Sequence, residues 1–249
     1  MDRKLPSATL QDVTISYERH PAVHHVSGTL AGGSLTAIVG PNGAGKSSLI
    51  KALAGLIQPS EGRVAWHGCS HEDIAFLPQL TAIDDNFPMA VRDVVLMGHW
   101  RKSGALGSIG AAMQGSAQDA LAAVGLAGFD HRLFSSLSVG QQQRVLFARL
   151  MVADCPVILL DEPFSAIDSR TADDLLRLIH RWHREGRTVV AVLHDLAQVR
   201  QHFPQTLLLA RRLLGWGPTA AVLTEEALRQ ARSMGEAWDE HAEPCSSAA

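Results

Sequence analysis

Apolar residues along this 249-residue chain fall into short unbroken runs and helix-spaced stripes, and their order predicts an α/β fold. Val13-Thr-Ile-Ser-Tyr17 alternates as a half-exposed strand does. Val26-Ser-Gly-Thr-Leu30 is a second candidate strand, and Gly32-Gly33 turns the chain into Leu35-Thr-Ala-Ile-Val39, which reads as a buried strand. Ser48 to Ala54 then has the apolar spacing of a helix, and Gly62-Arg-Val-Ala-Trp66 reads as a further strand closed by a turn at Gly68. The character changes between Thr81 and Ser135. Val91 to Met97 and Ala117 to Val124 read as helices, separated by a Gly/Ser/Ala-rich link from Ser103 to Gly115. Farther on, Val157-Ile-Leu-Leu160 and Thr188-Val-Val-Ala-Val-Leu193 bracket a helix from Thr171 to Arg184. That βαβ order predicts a mostly parallel sheet flanked by helices on both faces.

The pattern therefore implies a single domain over residues 1–249. Its core would comprise residues 1–80 and 136–230, beginning with an antiparallel β portion, and residues 81–135 would form an inserted helical subdomain. The Ala/Ser/Glu-rich end, residues 231–249, is expected to be a flexible tail. No internal repeat is visible. A net charge of −3 leaves no basic surplus to displace counterions, which argues against nucleic acid as a partner. The most membrane-like stretch, Thr206 to Leu214, is short and broken by Arg211 and Arg212, so no span is expected. There is no N-terminal signal pattern. Three cysteines without CxxC spacing suit a reducing compartment, and the expected location is the cytoplasm.

Between the run ending at Val39 and the helix from Ser48 lies Gly40-Pro41-Asn42-Gly43-Ala44-Gly45-Lys46-Ser47, a Gly-x-x-x-x-Gly-Lys-Ser phosphate loop. A strand feeding a glycine-rich turn into a helix N-terminus aims backbone N–H groups and the helix dipole at one point. Lys46 adds a charge near the terminal phosphates, and Ser47 supplies a hydroxyl for Mg²⁺. The run Val157 to Leu160 ends in Asp161-Glu162-Pro163. There Asp161 can hold the hydration shell of Mg²⁺ and Glu162 can orient and deprotonate an attacking water. Leu137-Ser138-Val139-Gly140-Gln141 opens another helix with a hydroxyl residue and a glycine, a second terminus suited to phosphate.

Together these motifs resemble the ATP-binding cassette family, and the resemblance covers nearly the whole chain. The family's signature is Leu-Ser-Gly-Gly-Gln, and this chain departs from it at Val139. The resemblance implies further roles. Gln79 would sense Mg²⁺ and the membrane partner, Asp168 in Ser165-Ala166-Ile167-Asp168 would lie on a loop crossing a dimer interface, and His194 would contact the γ-phosphate. Tyr17 would stack on adenine, and Ser48 would join the loop in holding ATP. The implied cofactors are ATP and Mg²⁺. The implied partner is a second copy in a head-to-tail ATP sandwich, each site joining the phosphate loop of one copy to Ser138, Gly140 and Gln141 of the other. A chain with one cassette and no span would also need a separate permease, which would place it peripherally on the inner face of the membrane.

Asn86-Phe87-Pro88-Met89-Ala90-Val91-Arg92-Asp93-Val94-Val95-Leu96-Met97-Gly98 resembles the corresponding segment of ATPases that drive zinc and manganese uptake. That implies a metal importer with an extracytoplasmic binding protein. Iron-chelate or cobalamin import is the alternative. A DNA-repair head is disfavoured, because only about ninety residues without sustained heptads separate the phosphate loop from the signature. A non-transport cassette is disfavoured by the presence of both Lys46 and Glu162. Twelve histidines invite a direct metal site, with His67, Cys69 and His71 the nearest approach to one. A polar hairpin turn accounts for that spacing better, and no metal other than Mg²⁺ is assigned.

Overall fold

The computed structural model describes residues 5–17, 20–80, 88–104 and 109–236. Strands β1 (Ser7–Tyr17), β2 (His20–Leu30) and β4 (Glu61–His67) form an antiparallel sheet with β1 in the middle. Strands β3 (Leu35–Val39), β5 (Ile74–Leu77), β6 (Val157–Asp161), β7 (Thr188–Val192), β8 (Gln205–Ala210) and β9 (Arg212–Pro218) form the second sheet, in the order β5-β6-β7-β3-β8-β9. All pairings in it are parallel except β8 with β9. Every residue of β3, β6 and β7 is buried, which explains their unbroken Val/Ile/Leu character: helices cover both faces.

Helix α1 (Lys46–Leu53) lies between the two sheets, with Leu49, Ile50 and Leu53 in one core with Ile15 and Val23 of the first sheet and Ile38 and Leu159 of the second. The opposite core holds α5 (Val139–Ala153) and α6 (Ser169–Arg184). On α6, Leu175, Leu176, Leu178, Ile179 and Trp182 form the buried face. Trp182 stacks on Phe147 of α5 with ring centroids 5.7 Å apart. At the edge of the second sheet, Trp216 lies against Gly28 of β2; a β-carbon there would come within 2.3 Å of the indole. Only glycine fits that contact between the sheets.

The inserted block is built from α2 (Val91–Leu96), α3 (Trp100–Ser103) and α4 (Ala111–Ala123), with α2 and α4 packed on α5. A 3₁₀ turn, Met97–His99, joins α2 to α3. The turn approaches α5 closely, since a β-carbon on Gly98 would fall 2.4 Å from the carbonyl oxygen of Arg149. His99 Nε2 adds a tie to Ser116 Oγ at 2.7 Å.

Several elements extend beyond their sequence expectation. The helix expected from Ala117 begins at Ala111, across part of the link assigned from composition. The stretch Thr206 to Leu214 belongs to two strands that reverse at Arg211, whose φ is 60°. The tail expected from residue 231 is corrected for its first turns. Helix α9 (Glu225–Glu236), which follows α7 (Leu196–His202) and α8 (Thr219–Val222), carries a buried Ala231 against the core. The remainder of that tail, with His241 and Cys245, and residues 81–87 and 105–108 of the subdomain lie outside the described residues. Among the described residues, no helix is long and apolar enough to cross a membrane.

Candidate functional site

The phosphate loop is a tightly fitted turn. Gly45 is left-handed (φ 88°) and caps α1 without a side-chain hydrogen bond. A β-carbon at Gly45 would lie 2.1 Å from the carbonyl oxygen of Ala22, and one at Gly40 would lie 1.9 Å from that of Leu209. Both glycines are therefore required by neighbouring backbone as well as by the turn. Asn42 and Gly43 stand exposed at the rim, whereas Ala44 is buried and its carbonyl accepts from Arg211 N at 3.1 Å. Lys46 is 5% exposed, and its Nζ donates to the carbonyls of Gly40 (2.9 Å) and Pro41 (2.8 Å). The ammonium is thus held inside the loop that it charges.

Burial lowers the pKa of Lys46, while Glu162 and Asp161 act in the opposite sense. Burial raises that of Asp161, with the hydrogen bond from Ser47 opposing it and Glu162 reinforcing it. Ser47 Oγ donates to Asp161 Oδ1 at 3.0 Å. A hydroxyl and a buried carboxylate in contact, beside a phosphate-binding turn, form a hard-oxygen donor set. That set fits Mg²⁺, which takes few protein ligands and leaves the others to water and phosphate.

Glu162 follows β6 with φ 51°, a left-handed conformation that costs a non-glycine residue about 1–2 kcal/mol. The turn brings its carboxylate between two elements. His194 Nε2 lies 2.7 Å from Glu162 Oε1, and Gln79 Nε2 donates to Glu162 Oε2 at 3.0 Å. The ends of β5, β6 and β7 therefore meet at one carboxylate, at the C-terminal edge of a parallel sheet where such folds bind ligands. Tyr17 is half exposed at the end of β1, and its hydroxyl lies 3.3 Å from Ser48 Oγ. That position presents a ring beside the loop.

A second group forms around the start of α5. Ser138 caps it: its Oγ accepts from Gln141 N at 3.4 Å, while Gln141 Oε1 accepts from Ser138 N at 3.1 Å. Val139 is exposed in the first helical turn, so the valine that replaces the family's glycine does not disturb the packing of the chain itself. Asp168 caps α6 and accepts from Thr171 N (2.9 Å) and Thr171 Oγ1 (2.8 Å), which lowers its pKa. Among the described residues, no hydrogen bond or ion pair joins Ser138, Gly140, Gln141 or Asp168 to the residues around Lys46 and Glu162. The two groups share no such contact within the chain's described residues.

Sequence reasoning did not assign three residues that hold these pieces in place. Gln143 is buried and donates to the carbonyl of Pro163 at 2.8 Å, tying α5 to the turn after Glu162. Arg144 reaches Val124 O (3.0 Å), Thr171 Oγ1 (3.3 Å) and Asp174 Oδ2 (2.6 Å). Thr171 thus links Arg144 to Asp168. The available signal was polar Gln-Gln-Arg on the inner side of an otherwise apolar helix, where burial demands a partner. As for the histidine motif on β4, His67 bonds Thr9 Oγ1 at 3.1 Å, while His71 lies against Gly55.

A phosphate loop on a parallel sheet, with a strand-end carboxylate pair beyond it, defines a P-loop ATPase. Residues 23–165 match the ABC transporter family, and the chain belongs to that family. It is an ABC-type ATPase. It is 38% identical over 226 residues to a probable metal transport system ATP-binding protein of Chlamydia muridarum, covering 89% of this chain and 87% of that protein. It is 37% identical to the zinc transport system ATP-binding protein TroB of Treponema pallidum, over 89% of this chain and 85% of that one. The manganese transport system ATP-binding protein MntB of Bacillus subtilis is also 37% identical, with 89% and 90% covered. Among solved structures, an inward-facing metal-chelate type ABC transporter superposes with a TM-score of 0.81 at 31% identity, over 92% of this chain and 89% of that one. A dimeric ATP-binding cassette bound to ADP and phosphate gives 0.75 at 27%, over 85% and 98%.

Proposed function

We propose that this chain is the ATP-hydrolysing subunit of a bacterial importer, powering uptake of zinc or manganese through a separate permease at the inner face of the membrane. The observation that carries this reading is the near-full-length identity to zinc and manganese transport ATPases. It spans both the ATPase machinery and the helical block that begins with α2.

In the proposed mechanism two copies pair head to tail, because Ser138, Gly140 and Gln141 lie apart from Lys46 in a single chain. Tyr17 stacks on adenine. The N–H groups from Gly40 to Ser48 hold the phosphates, and Lys46 turns from the loop carbonyls towards the terminal ones. Ser47 and Asp161, with Gln79, would hold Mg²⁺, which would supply charge neutralisation at the phosphates. Glu162 takes a proton from water in line with the γ-phosphorus, and His194 donates from Nε2 towards the developing charge. Asp168 positions the loop between the two copies. Cargo reaches the permease from an extracytoplasmic binding protein and does not pass through this subunit.

The test is growth of a deletion strain under zinc limitation and under manganese limitation, with the chain supplied in trans as wild type or as Lys46→Ala. Rescue of one metal requirement by wild type alone supports the reading; equal growth of the deletion strain and its parent in both media rejects it. The similarity to a metal-chelate type transporter supports a second reading, import of a chelated metal. Under that reading the deletion would matter only when the metal is supplied as its chelate.

A further inference from the structure

Away from the phosphate loop, α6 and α7 meet through two histidines. His180 Nε2 and His202 Nδ1 share a hydrogen bond of 3.2 Å, with their rings tilted by 52°. Both side chains are partly buried. His183, one turn further along α6, lines a cavity with Pro204 and Gln205 that His180 and His202 do not line. Burial lowers the pKa of His180, and His202, His183 and Arg184 add to the effect, which favours the unprotonated ring.

We propose that His180 and His202 form a binding site for one borderline divalent transition-metal ion of the Zn²⁺ or Ni²⁺ class, ligated by His180 Nε2 and His202 Nδ1. Metal–nitrogen bonds of about 2.0–2.1 Å spanning this separation subtend about 100° at the ion, within the range of tetrahedral and more open geometries. Imidazole nitrogen selects these ions over Mg²⁺ and Ca²⁺, which prefer oxygen. The two nitrogens share one hydrogen bond, and ligation moves the donated proton to the other nitrogen of its own ring. Among the described residues no group of three His, Cys, Asp or Glu side chains is arranged around one ion. Water therefore completes the shell, which makes the site open and exchangeable rather than structural. The cationic Arg184 nearby weakens it further.

The position gives the site a consequence. Helix α7 starts at Leu196, immediately after His194 and its capping neighbour Asp195, and ends at His202. An ion joining His202 to α6 fixes one end of the short helix whose other end carries His194. Occupancy would thus be felt at Glu162 through the 2.7 Å contact to His194. This inference does not depend on the transported cargo.

The test is Zn²⁺ titration of the untagged, chelator-stripped full chain against a chromophoric competitor at pH 7.5 in excess Mg²⁺. One equivalent is expected, lost in both His180→Ala and His202→Ala, kept in His67→Ala and His25→Ala, and weakened at pH 5.5 as protons compete for the ligating nitrogens. In case the alanine variants misfold, the ring ¹⁵N resonances of the wild type provide a second reading, with Zn²⁺ shifting His180 Nε2 and His202 Nδ1. An equivalent that survives in both folded variants, a wild type that retains none, or unshifted resonances at these two nitrogens would overturn the proposal.

Discussion

His194 and Glu162 are joined end to end, with Nε2 of the histidine 2.7 Å from Oε1 of the carboxylate, although 31 positions separate them in the chain. Gln79 occupies the other oxygen at 3.0 Å. Each oxygen thereby has one side-chain partner and keeps a further lone pair for a water. Glu162→Gln keeps the shape but removes the basic oxygen. The expected result is ATP binding within a few-fold of wild type and phosphate release reduced by about 10²–10⁴-fold. Wild-type turnover in this variant would remove Glu162 from the base role.

Asp161 allows a stability prediction with a definite sign. Its carboxyl pKa is raised from 3.8, chiefly by burial. The folded chain therefore holds that proton more firmly than the unfolded chain. The penalty for ionisation is full above the folded pKa and is relieved as pH falls through it. Asp161→Asn should accordingly raise the Tm of the nucleotide-free chain at pH 7.5, by about 2–4 °C for each kcal/mol relieved. The gain should shrink as pH is lowered into the carboxyl range, and Mg²⁺-dependent ATPase activity should be lost. Thermal scans from pH 7.5 to 4, without nucleotide, check the first part; a lower Tm throughout contradicts it.

Gly45→Ala tests whether the loop depends on its backbone. The added β-carbon would sit 2.1 Å from the carbonyl oxygen of Ala22, in a left-handed conformation. Displacement of β2 from α1 is expected, with ATP affinity reduced by more than tenfold. Gly43→Ala is the control. Its φ is also positive, but nothing lies within 4 Å of the added atom, so its loss of affinity should be smaller. Equilibrium binding of a fluorescent ATP analogue distinguishes the two.

Trp182 is buried against Phe147, bridging α6 and α5 on the side of the sheet away from α1. Trp182→Ala should destabilise the chain by about 3–5 kcal/mol through the cavity it leaves. Because α5 begins at Ser138, ATPase activity should also fall at temperatures where the variant remains folded. Chemical denaturation with an unchanged m-value, together with turnover at low temperature, checks both parts.

Much of the fold was legible from local pattern. The runs Leu35 to Val39, Val157 to Leu160 and Thr188 to Leu193 became β3, β6 and β7, because strands covered on both faces need apolar residues throughout. The short strand β5 was hidden: Ile74-Ala-Phe-Leu77 is too brief for its periodicity to stand out. Thr206 to Leu214 read as one apolar stretch, because the reversal at Arg211 uses a left-handed arginine rather than a glycine. Ala111 to Gly115 resembled a link by composition, yet packing of α4 against α5 holds those residues in a helix.

The sequence by itself determined the phosphate loop, the Asp161–Glu162 pair and the capped start of α5. Each depends on residue types at fixed spacing, which local backbone geometry converts directly into donors and acceptors. Tertiary structure alone decided that Gln79, Glu162 and His194 share one contact, that Lys46 folds back onto its own loop, and that Ser138 stays apart from both. Those relationships depend on strand order and on a left-handed turn after β6, and contacts between distant segments leave no periodic trace in the chain.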